Sequence, residues 1–310
     1  MHKYLNAIGY GGLASEKQLN RLLQYAEKVY THHELMALDQ ETDYCEYRMK
    51  SSKDMGICVC GTMDEEEHFE RYFYYPYFEG SGITSVADVT LERRMDRHSF
   101  VGIYEDAKVG VSLIFHVQNA IECMLADVRR NHVLDHVSVT LSGLCNDGMI
   151  LLPVFKNPDQ EKRSREESRN RMTLLTAARN GDPSAIESLT LDDLDTYTKV
   201  SRRLVKEDVF TIVDTYFMPC GIECDRYSIL GEILNIRMDE NEETGEEIYI
   251  LSLNVNEMKF DACIPKANLI GEPAIGRRFK GNIWLQGMIR MYEKSVQLET
   301  LKLYTLFESG

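Results

Sequence analysis

The 310-residue sequence has no apolar run long enough to cross a membrane. Its longest stretch without acids or bases, Val109–Ile121, falls short of the ~20 residues a helical span needs, and it carries His116, Gln118 and Asn119. The opening MHKYLNAIGYGG has no apolar core of the kind a secretory leader uses, so a cytoplasmic protein is expected. Three nucleotide and hydrolase signatures are missing as well: the GxxxxGK(S/T) phosphate loop, the GxSxG elbow and the GxGxxG fingerprint. The glycine run at Gly9–Gly12 is too short for the last of these and follows no strand.

Positive charge is also scarce. Lys and Arg number 35 against 50 Asp and Glu, a formal net charge of −15. The deficit is uneven: residues 1–155 carry −9, residues 156–205 carry +1 and residues 206–310 carry −7. Affinity for DNA or RNA comes mainly from cations that release phosphate counterions. General nucleic-acid binding and attachment to an anionic membrane surface are therefore disfavoured. The eight cysteines, in a chain read as cytoplasmic, are expected to be free thiols.

The pattern of the chain predicts two folded parts joined by a connector. Ser15 is a good helix cap, and Leu19, Leu22, Leu23, Ala26 and Val29 recur at helical spacing, which predicts an amphipathic helix over Ser15–Tyr30. Strands are expected at Tyr44–Met49, Met55–Thr62, His68–Phe78, Val86–Leu91, Phe100–Tyr104 and Val109–Val117. A hairpin is expected with its turn at Asn146-Asp147-Gly148. These make residues 1–155 a mostly antiparallel α+β domain. The charged stretch Lys156–Asn170 opens a connector, residues 156–207, with helices at Met172–Arg179, from Ser184 to Leu189, and from about Thr190 to Val205. Strands at Val209–Thr215, Tyr227–Met238, Glu247–Val255, Met258–Ile264 and Arg278–Ile289 make residues 208–310 a small barrel-like domain, with an oligonucleotide-binding-like barrel as one candidate arrangement.

Two segments are candidates for binding. Tyr72–Phe78 holds six aromatics in seven residues, and alternation puts aromatic rings on both faces, including Tyr74, Tyr75 and Tyr77. Pro76 marks an edge strand, because it cannot donate to a central ladder. Core plus an interface is the leading reading, with a small-ligand platform as the alternative. In the last strand, alternation places Arg278, Lys280, Asn282, Trp284 and Gln286 on one face. Two cations beside the sole Trp resemble a nucleotide or single-strand platform, against the plainer reading of a half-exposed strand.

All eight histidines precede residue 137, so any imidazole chemistry belongs to the first part. His98, His116, His132 and His136 are the candidates for a hydrolase or transferase site. His132 and His136 have i,i+4 spacing but lack the glutamate of a zinc-protease helix, and no metal and no cofactor is expected. Cys58 and Cys60 share a strand face and read as core, and Cys220 and Cys224 bracket a turn.

The segments MHKYLNAIGYGGL, VGVSLIFHVQNAIECM, DVFTIVDTYFMPCGIECDRYSILGEI and GEPAIGRRFKGNIWLQGMI resemble those of an uncharacterised family from clostridial bacteria, cytosolic proteins of about this length known only as a domain of unknown function. The resemblance implies an intracellular bacterial protein and brings no activity with it. The leading expectation is a non-catalytic binding or regulatory protein, acting through a protein partner, self-association or a small ligand.

Overall fold

The computed structural model describes residues 2–37, 42–94, 99–106, 111–127, 133–154, 166, 167, 170, 171, 173–178, 180–204 and 208–291. Strands dominate, with a minority of helices, so the α+β expectation holds in its coarse form. Among the described residues no helix is long and apolar enough to cross a membrane.

Four strands form an antiparallel meander: β1 (His32–Ala37), β2 (Thr42–Lys50), β3 (Met55–Asp64) and β4 (Phe69–Phe78). β4 pairs only with β3, so Pro76 does lie on an edge strand. Helix α1 (Glu16–Ala26) is capped by Ser15, whose Oγ accepts from the Gln18 N–H. Leu19, Leu22, Leu23 and Ala26 are buried in one cluster with the meander's inner face, whereas Val29, the last residue of the expected stripe, is exposed.

The second sheet is larger and mixed. It contains β5 (Ser85–Arg93), β6 (Phe100–Asp106), β7 (Val111–Val117), β8 (Val133–Leu151), β9 (Tyr216–Pro219), β10 (Arg226–Glu240), β11 (Glu247–Val255), β12 (Met258–Pro265), β13 (Leu269–Ile270) and β14 (Arg278–Arg290). The long strands β8 and β14 run antiparallel from Ser138–Arg290 to Leu151–Arg278. Two closed circuits of pairing share them. One runs β8–β5–β6–β7–β14, and the other β8–β12–β11–β10–β14. The sheet thus draws strands from both sides of residues 156–207. One apolar cluster fills both circuits, from Leu113, Phe115 and Leu134 to Leu253, Phe260 and Phe279.

Three local expectations are corrected. Asn146-Asp147-Gly148 is not a hairpin turn but lies inside β8. The sequence signal is local, whereas β14 pairs along this stretch and absorbs it with a register shift between Gly281 and Ile283. A Cβ on Gly148 would stand 2.6 Å from the Phe279 ring, so this glycine serves close packing. Val209–Thr215 is not a strand; Asp208 accepts from the Phe210 N–H and starts the short helix α4 (Val209–Ile212). The two helices expected after Pro183 are one, α3 (Pro183–Leu204). Thr190, the expected start of the later of the two, bonds back to the Ile186 carbonyl from inside the helix, and Asp182 caps it. β1 and helix α2 (Ala120–Asp127) were not expected.

Candidate functional site

Segments far apart in the sequence meet beside β4. The 3-10 turn Lys3–Ile8 begins at His2, whose backbone N–H donates to the Tyr74 hydroxyl at 2.6 Å. β4 itself supplies Arg71 and the run Tyr72–Tyr75. β7 supplies His116, the residue after β5 is Arg94, the turn leading into β10 supplies Glu223, and the first residue of β10 is Arg226. Together with Leu19 and Leu23 of α1 they line an open cleft of about 610 Å3. That size is within the range of small-molecule sites.

Trp284 lies behind the cleft wall. Its ring centroid is 4.8 Å from His2, 5.1 Å from His116 and 5.7 Å from the stacked Tyr4 ring, with Tyr75 edge-on at 6.5 Å. The indole N–H donates to Asp225 Oδ2 at 2.7 Å. That same oxygen receives Arg94 at 3.0 Å, so one fully buried carboxylate positions both the indole and a cleft cation. Burial opposes the Arg94 charge, but Asp225 and Cys224 outweigh it and hold the guanidinium above its ordinary pKa.

His116 is 3% exposed, and its Nε2 has no hydrogen-bond partner. Burial, reinforced by Arg94, His2 and Arg48, pushes its pKa well below the ordinary histidine value. The imidazole is therefore neutral at physiological pH and can donate or accept one bond. Two more buried polar atoms without partners stand nearby, Asp225 Oδ1 and Arg226 Nε. Buried polar groups are normally paired, and such a concentration beside one cleft is unusual.

Of the residues singled out in the sequence, Trp284, Tyr74, Tyr75 and His116 meet here. Arg278, Lys280, Gln286 and Tyr77 do not form a platform with them. Arg278 is buried and donates to the carbonyls of Leu152, Val213 and Phe210, tying α4 to the sheet. Lys280 stands 4.4 Å over the Phe210 ring. Gln286 is completely buried between the sheets. Tyr77 is buried with the Arg48 guanidinium 5.5 Å from its ring centroid. The alternating pattern placed these side chains on one face, but it could not show that the meander covers part of that face.

His136 is exposed and pairs with Asp88, away from the cleft; His98 and His132 lie outside the described residues. Among the described residues no three or more His, Cys, Asp or Glu side chains gather as metal ligands. Cys58 and Cys60 face each other in the core at 3.7 Å, and Cys224 accepts from Arg94. Sequence reasoning did not find His2, Lys3, Tyr4, Arg71, Arg94, Asp225 or Arg226. The only signal available was local, an Asp-Arg pair inside the Cys220–Tyr227 turn and a His-Lys-Tyr opening.

The chain matches no curated protein and no solved structure. One family model does match it over residues 5–287, described as a domain of unknown function from an E. rectale gene, DUF3881. With nearly the whole chain covered, this protein belongs to that family.

Proposed function

We propose that this is a cytoplasmic binding or regulatory protein whose ligand is a small molecule held in the cleft between β4, the Lys3–Ile8 turn and the start of β10. The observation that carries the reading is His116. It is a buried imidazole with an unpartnered nitrogen, set in the wall of a cleft that also holds four cationic side chains and a run of aromatics. In a chain of net charge −15, this concentration of cations is a local exception. The aromatic strand then serves as core on its inner face and as a ligand wall at its N-terminal half. The circuit β8–β14–β10–β11–β12 supports reading the C-terminal strands as a small barrel, completed by β8 from the N-terminal part. A hydrolase or transferase reading has less support, since His116 and His136 do not share a site.

The test uses the full chain and its sole Trp. The protein is incubated with a small-molecule extract of bacterial cells and freed of unbound compounds, and what it retains is identified by mass spectrometry. A retained compound that changes Trp284 emission, and that no longer does so after His116→Ala, is the expected result. Retention of nothing, with unchanged emission, overturns the proposal.

A further inference from the structure

We infer that the ligand is a small aromatic molecule carrying a single anionic group, a carboxylate or a monophosphate, with its ring against the tyrosines of β4 and that group at Lys3. This inference rests on reading the cleft as a ligand site and adds the chemical class.

The charge follows from what the lining cations already hold. Arg71 is paired with Glu27 at 2.7 Å, Arg94 with Asp225 at 3.0 Å and Arg226 with Glu223 at 2.6 Å. Lys3 is exposed and has no carboxylate partner among the described residues. Its Nζ stands 5.8 Å from the centroid of the Tyr4 ring, and the Arg226 guanidinium stands 5.7 Å from the same ring. Among the described residues the cleft has one uncommitted cation, which matches one anionic group. Further phosphates would face Glu223, and like charges at close range are repulsive.

The ring follows from the wall. Tyr72, Phe73, Tyr74 and Tyr75 come from one strand, and the imidazole of His2 stands 6.3 Å from Tyr74. Such side chains favour offset or edge-on contact with a flat ring at these separations. His116 Nε2 is left for a hydroxyl or ring nitrogen on the ligand.

An aromatic carboxylate and a nucleoside monophosphate share this chemistry, and paired titrations of the full chain separate them. One pair is 4-hydroxyphenylacetate with its amide, and the other is AMP with adenosine; ATP is the polyanion control. In at least one pair the anion should bind about tenfold more tightly than its neutral counterpart at low salt. Lys3→Gln should abolish that preference and Lys3→Arg should restore it, with the neutral compound unaffected by either. The pair that shows the preference identifies the source of the charge. Equal affinity of anion and neutral partner, tighter binding of ATP than of AMP by a similar factor, or saturation by neither pair overturns the inference. A compound of another class retained from the extract overturns it too, while leaving the proposed function in place; an extract that leaves nothing removes both.

Discussion

Gln118 Nε2 donates to Gln286 Oε1 at 2.8 Å, joining β14 to the residue that follows β7, at the point where the meander meets the larger sheet. Both amides also grip β4. Gln118 Nε2 donates to the Phe78 carbonyl, Gln286 Oε1 accepts from the Phe78 N–H, and Gln286 Nε2 donates to the Pro76 carbonyl. An edge strand leaves such backbone groups without a neighbouring strand, and here two side-chain amides take the neighbour's place. Gln286→Ala removes three of these bonds inside a fully buried site. A loss of roughly 2–4 kcal/mol in urea unfolding is expected, since each orphaned buried group costs about 1–3 kcal/mol. Gln286→Glu should recover part of that loss by restoring the acceptor to Phe78. Gln and Glu fill the same volume, so equal losses in both variants would show that the acceptor to Phe78 contributes nothing to the cost.

Asp225 makes a second test of the same kind at the cleft. Asp225→Ala strips the Trp284 N–H of its acceptor and Arg94 of its counter-ion. Removing one partner of a buried ion pair typically costs about 3–5 kcal/mol. Asp225→Asn keeps an acceptor for the indole, so it should lose less stability and retain the tryptophan emission maximum. In Asp225→Ala the maximum should move. If both variants kept wild-type emission, the bond to the indole would not govern its surroundings.

Much of this arrangement was legible locally, and what was missed is non-local. Strand ends such as Met55, Phe78, Glu247 and Val255 follow from alternation and turn residues, because side-chain period is a property of a few neighbouring residues. Trp284 and Tyr74 stood out for similar reasons. The company Trp284 keeps did not, because His2 and Tyr4 reach it from the far end of the chain. The same applies to Asn146-Asp147-Gly148. An Asp-Gly turn is favoured over a few residues, but twelve registered pairs between β8 and β14 outweigh that preference. Arg278 and Gln286 were read as ligand groups because polar residues alternating on a strand usually face water; both are instead spent on backbone carbonyls of neighbouring segments.

Two buried groups give the protein opposing responses to pH. Glu46 is 2% exposed; burial, with Glu34 adding to it against the opposing pull of Arg48, pushes its pKa from 4.5 up to about 7. Between those values the native state keeps a proton that the unfolded chain has lost, so stability falls as pH rises, by roughly 3 kcal/mol in all. His116 is depressed, so below its ordinary 6.5 the unfolded chain binds a proton that the native state refuses, and stability falls as pH drops. Relative to wild type, Glu46→Gln should therefore gain stability between pH 4.5 and 8. A His116→Gln variant should gain on it as pH falls below 6.5. Urea midpoints measured across this range check both, and parallel curves for either variant would rule out that group as a source of the pH dependence.

Phe115 gives the sharpest packing test. It is completely buried and stands in register with Gly102 on the adjoining strand, so that a Cβ added to Gly102 would meet the Phe115 ring at 2.3 Å. All three nearest atoms belong to that one ring, which fixes where the strain must go. Overpacking of this kind costs about 1–3 kcal/mol, because a dense interior cannot move a ring without disturbing its neighbours. Gly102→Ala should therefore destabilise the protein by that amount, although its backbone conformation suits alanine. Phe115→Leu also destabilises, through lost burial. Combined, the two should cost less than their sum by at least about 1 kcal/mol, because the smaller side chain makes room for the new methyl. Strict additivity in a double-mutant cycle would mean that the strain is carried by the backbone of β6 and not by the ring.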